Sequence, residues 1–231
     1  MPLTLPPADK LRREFGPIPF WFWNDDLTQD ELLRQIDDFQ RHGVHGFVIH
    51  PRVGLPREVV WMSDVWLDFV EFAVEEAARR AMSVVLYDEA MYPSGSSCGQ
   101  VVASDPALQC RRLARMPGTR AGAPDLPDGW NLVTLFEAPD QEVVAAVDRP
   151  TDARIRGVHY IDGGPSADSG RSPQEEAPLF ADLLNPRAVQ RFVQLVHERY
   201  AARLGGHFGK TVIGIFTDEP GPLGRCREKD V

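Results

Sequence analysis

The sequence has few cysteines, no excess of basic charge and no long apolar run. Its three thiols, Cys98, Cys110 and Cys226, sit at wide, irregular spacing. That spacing builds neither a disulfide framework nor a zinc site and leaves reduced thiols. Lys and Arg number 25 against 34 Asp and Glu, a net charge of -9, and no local basic cluster offsets this, so nucleic acid is excluded as a partner. Nowhere do about 18 apolar residues run together, which excludes a membrane-spanning helix. The opening MPLTLPPADKLRREFG places prolines and charges where an export signal needs an apolar stretch, so a cytoplasmic location is expected. Neither GxGxxG nor GxxxxGK[ST] occurs, so neither phosphate-cradling loop is present.

What is present is 43% hydrophobic residues in 231, enough for one globular domain, or one domain with an insertion. PIPFWFWN reads as a strand that stops at Asn24-Asp25-Asp26. Thr28 followed by Glu31 is a capping-box signature, and Leu32, Leu33, Ile36 and Phe39 recur at helical spacing up to Gly43. VHGFVIH is a second strand, ending in His50-Pro51-Arg52. Ser63 and Asp64 then open a helix carrying Trp66, Phe69, Val70, Ala73 and Ala77. SVVLY is the third strand and runs into Asp88-Glu89 and MYPSGSSCG.

The rhythm then breaks for about ninety residues, far beyond the roughly two to six of an ordinary βα loop. This insertion holds a Pro/Gly/Asp-rich patch (MPGTRAGAPDLPDGW), three β-prone runs (NLVTLFEA, EVVAAVD, RIRGVHYI) and the polar stretch DGGPSADSGRSPQEEAP, and a small antiparallel β-subdomain is expected there. Helical spacing resumes after Asn185-Pro186, an N-cap with proline at the first helical position. A third helix then carries Val189, Phe192, Val193, Val196 and Tyr200 on one face and stops at Gly205-Gly206. TVIGIF is the fourth strand, ending in Thr217-Asp218-Glu219-Pro220.

Continuously apolar strands alternating with helices predict an α/β fold with a parallel sheet covered on both faces: a partial (β/α)8 TIM barrel of about four βα units. Residues 1–89 form its first units, 90–178 the insertion, and 179–231 the third helix and fourth strand. Half a barrel leaves two parallel edges to be covered. The expectation is therefore the amino-terminal part of a longer enzyme, or a homo-oligomer in which two halves join.

Each strand ends in a polar or aromatic cluster, on the edge where such folds gather ligands. Asp218 and Glu219 project to opposite sides of the pleat, so one faces the barrel axis. A carboxyl held there among aromatic neighbours has its neutral form favoured by desolvation, as a general acid requires, and Glu219 is the candidate. The alternative is a loop-anchoring carboxylate ahead of Pro220. Asp88 and Glu89 repeat the pair, beside a Pro93-Ser94-Gly95 turn able to bring backbone amides toward a ligand. Such carboxylates accept hydrogen bonds from sugar hydroxyls or bind a hard cation; the alternative is a solvated turn.

In WFWND, Trp21 and Trp23 share one face and Phe20 and Phe22 the other, so one pair packs under helices while the other lines the interior. Trp23 is either a sugar-stacking ring or a core residue. Asn24 either binds a hydroxyl or merely leads into Thr28. His50 is an imidazole that orients a carboxylate or touches substrate, and Arg52 is a fixed charge beside it. His42, His45, His159, His197 and His207 form no metal-spaced pair, although a metal-dependent hydrolase using His50, Asp88 and Asp218 is a further reading. PSGSSCG lacks the Gly-x-Ser-x-Gly arrangement, and Cys98 has no evident base beside it.

Taken together, PFWFWND, ELLRQIDDFQRHGVHGFVIHPR, LYDEAMYPSG and LNPRAVQRFVQLVHERYAARLGGHFGKTVIGIFTDEP resemble the opening of the catalytic domain of glycoside hydrolase family 106. The likeness spans most of residues 17–220 apart from the insertion and lies in four strand-end motifs appearing in order. It implies a (β/α)8 glycosidase that hydrolyses terminal α-L-rhamnosyl linkages with inversion, often with calcium, and it implies an acid at Glu219. On that reading a rhamnoside is the partner, Glu219 and Asp218 are the candidate catalytic residues, and Trp23, Asn24, His50, Arg52, Asp88, Glu89 and Tyr92 are candidate sugar contacts. Inversion needs a second carboxylate roughly 6.5 to 9.5 Å away, expected from later strands that this sequence does not contain. A non-catalytic carbohydrate-binding module is the alternative from another functional class.

Overall fold

The computed structural model describes residues 15–118, 125–139, 142–159 and 177–222. In chain order the elements are β1 (Phe20–Trp23), α1 (Gln29–Arg41), β2 (Gly46–Pro51), α2 (Asp64–Arg79), β3 (Ser83–Tyr87), β4 (Met91–Tyr92), α3 (Gln100–Ser104), β5 (Arg111–Pro117), β6 (Asn131–Glu137), β7 (Val143–Pro150), β8 (Arg156–Gly157), α4 (Pro186–Leu195), α5 (His197–Leu204) and β9 (Val212–Phe216).

The helices start where the capping chemistry requires. Thr28 accepts from the Glu31 amide at 3.2 Å, Ser63 from the Trp66 amide at 3.2 Å, and Asn185 from the Arg187 amide at 3.0 Å. Each satisfies one of the N–H groups that a helix start leaves without an intrahelical acceptor. The expected third helix is two. At Val196, φ is -117° and ψ is -67°, and α4 gives way to α5. Phe192, Val196 and Tyr200 are buried, whereas Val189 and Val193 lie at the surface.

The protein is mixed α/β, with a parallel sheet in the order β1-β2-β3-β9. Strand pleating sends alternate side chains to opposite faces. Trp21, Trp23, Phe47, Ile49, Val84, Leu86 and Val212 meet Leu32 and Ile36 of α1, Trp66, Val70 and Ala73 of α2, and Tyr200 and Leu204 of α5 in one buried cluster. Arg80 joins Asp37 of α1 to Glu76 of α2, and Arg203 of α5 joins Asp68 and Glu71 of α2.

The expected cover on both faces is not what is found. Helices α1, α2 and α5 lie on one side, and on the other Phe20, Phe22 and Phe216 remain 43%, 45% and 36% exposed. Runs of apolar residues raised that expectation, because an apolar strand reads the same whether its second face is covered or open. Apart from a single bridge between Phe208 and Val212, no further strand among the described residues pairs with the outer edge of β1 or β9.

The insertion contributes to two places. Val101, Val102, Leu108 and Val158 pack into the main core, while β5, β7 and β6 form a separate antiparallel sheet in that order. NLVTLFEA and EVVAAVD supply β6 and β7 as expected. Arg-rich β5 carried no apolar signal, and the described part of RIRGVHYI gives β8, paired with β4, and a bridge from Arg154 to Leu179. Most of DGGPSADSGRSPQEEAP lies outside the described residues.

Candidate functional site

The face away from the helices carries a row of rings at the carboxyl ends of the strands. His50 lies 4.1 Å from Tyr87 between ring centroids, Phe22 meets His50 edge-on at 5.2 Å, and Tyr87 stacks on Phe216 at 5.8 Å. Phe20 and Phe216 stand on the two outer strands, yet their rings meet edge-on at 5.1 Å. Three strand spacings would separate those strands by about 14 Å in a flat sheet, so their side chains lean together over a concave floor.

Buried His50 donates from Nδ1 to the Pro51 carbonyl at 2.6 Å. Burial first, and the Arg52 charge second among the lowering causes, hold its pKa below the usual imidazole value. The unfolded chain therefore takes up a proton near pH 6.5 that the folded chain resists. The stability this residue contributes is present above that pH and is lost as the pH falls. His50→Phe is accordingly expected to lose less stability than the parent between neutral pH and about pH 5, as read by urea unfolding at both.

Above this floor the strand-end loops are tied by carboxylates. Asp88, 1% exposed, accepts from Ser94 Oγ at 2.5 Å and Thr217 Oγ1 at 2.7 Å. Ser94 Oγ in turn accepts from the Asp218 amide at 2.8 Å, while the Ser94 amide donates to the Asp218 carbonyl at 2.9 Å. Tyr87 donates its hydroxyl to Asp218, and Tyr92 donates to Glu219 Oε2 at 2.9 Å. Burial raises the pKa of Asp88 against the lowering effect of its two hydroxyl partners. Burial together with the Asp218 contact also raises that of Tyr87, which keeps the phenol a donor.

Fully buried Glu89 is held differently. Oε1 accepts from the amides of Ala90 at 2.9 Å and Cys98 at 2.5 Å, and Oε2 from those of Ser96 at 2.8 Å and Ser97 at 2.7 Å. Ser97, Cys98 and Gly99 are successively left-handed, with φ of 49°, 52° and 81°, a run that turns consecutive N–H groups inward. Two of the three are not glycine, at a cost of about 1 to 3 kcal/mol each, and the carboxylate is what the strained turn closes around. The Gly99 position admits no side chain, since a Cβ there would lie 2.3 Å from Pro178.

These placements redistribute the residues singled out in the sequence. Tyr92, Asp218 and Glu219 come together, with His50 on the floor nearby. The Arg52 guanidinium rests 4.9 Å above the Phe22 ring. Asn24 is exposed on a cleft of about 460 Å³ that also includes Asp25, Thr28 and Gln35. Trp23 is 1% exposed, wedged edge-on against Trp21 and Trp66, so it is a core residue and not a stacking platform. Its indole N–H has no partner among the described residues.

Glu89 is likewise enclosed, and the amides expected to meet a ligand meet Glu89 instead. The desolvation expected around Glu219 is found around Asp88 and Glu89, whereas Glu219 itself is exposed, at a φ of 40°. Sequence reasoning missed Ser94 and Thr217 as ties, and also His197, whose Nε2 lies 3.8 Å from Asp88 Oδ2. Thr217 and His197 meet Asp88 across more than a hundred positions, which no local pattern marks.

Calcium, implied by the family resemblance, finds no cradle here. Among the described residues no three His, Cys, Asp or Glu side chains converge as a metal site, and the oxygens of Asp88 and Glu89 are taken by hydroxyls and amides. No described helix is long and apolar enough to cross a membrane. Comparison with protein-family models, with curated proteins and with solved structures finds no match for this chain.

Proposed function

We infer that the four parallel strands are half of a (β/α)8 barrel and that their carboxyl ends form part of a glycosidase site acting on a terminal rhamnoside. The observation that carries this reading is the convergence of Tyr92, Asp218 and Glu219 over an aromatic floor at the ligand-gathering edge of the sheet. In this reading Glu219, oriented by the Tyr92 hydroxyl and shielded from water only once a sugar covers it, gives its proton to the glycosidic oxygen as the bond from that oxygen to the anomeric carbon breaks. Water adds to the anomeric carbon and loses a proton to a second carboxylate. Phe22 and His50 supply the apolar wall against which a sugar ring packs.

Glu219→Gln is expected to cut hydrolysis of an aryl α-L-rhamnoside by at least about 100-fold with an unchanged circular dichroism spectrum; undiminished turnover removes Glu219 from the role. One feature favours a binding module instead: the interior carboxylates Asp88 and Glu89 are both fully engaged within the protein. Calorimetric binding of rhamnose without hydrolysis is the result that selects this second reading.

A further inference from the structure

We propose that a second copy of this chain covers the open aromatic face, two four-stranded sheets closing by a two-fold axis into one eight-stranded barrel. This rests on the half-barrel reading above and not on the chemistry proposed for it.

Three observations meet here. The sheet is entirely parallel and its strands follow chain order, β1-β2-β3-β9. Four such strands span half the circumference of an eight-stranded barrel, so a half turn about the barrel axis sets β1 of one copy beside β9 of the other. The same operation pairs the opposite seam. All eight strands stay parallel, and the edge-to-edge match closes on itself where a flat sheet would propagate. Among the described residues, both edges that this pairing uses have no neighbouring strand.

The interior also counts correctly. Barrel cores are layered, four side chains to a layer, drawn from alternate strands. One copy brings two alternate strands of each parity, with Phe20, Phe22, Val85 and Tyr87 from β1 and β3 and Val48, His50, Gly214 and Phe216 from β2 and β9. A two-fold doubles each pair to four.

The exposed surface has the right character and extent. Phe20, Phe22 and Phe216 are 43%, 45% and 36% exposed, which at roughly 200 Å² per ring leaves about 250 Å² of aromatic surface. Ile18, just before β1, and Ile213, within β9, are also exposed, at 39% and 53%. The aromatic part alone is about a third of the roughly 800 Å² that each partner buries in a standard interface, and the two backbone edges add to it. Lone surface phenylalanines need no explanation, but three linked through Phe20 between unpaired strand edges form a patch of the kind that marks an association site.

Light scattering on the eluted 231-residue protein tests this directly. The expected mass is twice the chain's 25.8 kDa, and Phe20→Asp is expected to return a folded monomer, since that side chain is outside the helix-side core. Hydrogen exchange separates this association from any other: amides of β1 and β9 are expected to gain protection as concentration rises, and those on the exposed faces of α1 and α2 are not. A monomer at every concentration overturns the proposal, as does a dimer indifferent to Phe20→Asp or one protected on its helices. Neither a dimer inactive on rhamnosides nor an active monomer confuses the two readings, because the first removes only the chemistry and the second only the dimer.

Discussion

Glu89→Gln is expected to lower the melting temperature by roughly 10 °C or more, although it changes one atom and removes a buried charge. Glutamine puts an NH2 group where one carboxylate oxygen now receives two backbone N–H groups, and a backbone amide cannot turn round to accept. Two buried donors lose their acceptor at about 1 to 3 kcal/mol each, and the left-handed turn at Ser97 and Cys98 loses what closes it. About 4 kcal/mol at 2 to 4 °C per kcal/mol gives the expected shift.

Asp88→Asn supplies the contrast. Its partners are the hydroxyls of Ser94 and Thr217, which rotate and accept as readily as they donate, so a cost of only about 1 kcal/mol is expected. Burial pushes the Glu89 carboxyl up to about 7 from 4.5. The folded chain thus holds a proton that the unfolded chain has released, and the stability this group gives falls as pH rises through that window. Thermal unfolding of both variants is therefore compared with the parent at a single pH of about 8, where the carboxylate is largely ionised in both states. Equal losses for the two variants would contradict the assignment of rigid donors to one carboxylate and rotatable donors to the other.

Trp66→Ala is expected to cost about 3 to 5 kcal/mol, the range for removing a large buried aromatic. The ring is fully buried, lies 5.2 Å from Trp23 and 5.0 Å from Trp61, and donates its N–H to Tyr200 at 3.3 Å. It therefore joins α2 to β1, to the loop after β2 and to α5 at once. Urea unfolding followed by circular dichroism reads the loss. A cost below about 0.5 kcal/mol, the range of surface substitutions, would mean that the helix layer holds together without it.

Much of the frame was legible because its causes are local. Thr28, Ser63 and Asn185 cap the helices they were expected to cap, and Phe47, Ile49, Val84 and Leu86 face the core as pleat alternation requires. The break at Val196 was not legible, because apolar spacing passes through it unchanged. Nor was β5, whose arginines pair with β7 through backbone bonds that composition does not reveal.

At the site, the carboxylates were found but their duties were not. Asp88 and Glu89 announce themselves at a strand end. Whether such a group faces a ligand or a turn depends on Ser94, Thr217 and the amides of residues 96–98, and no spacing rule connects these. Trp23 fell on the helix side for a reason visible only once Phe20 and Phe22 were seen on the other.

That division along β1 extends to β2 and β3 and separates two kinds of evolutionary freedom. Residues facing α1 and α2 are constrained by packing density, where even one methylene is felt. Their immediate neighbours in sequence, Phe20 and Phe22, lie outside that packing. Substitution at one register of these short segments can thus leave untouched the packing that the next register holds.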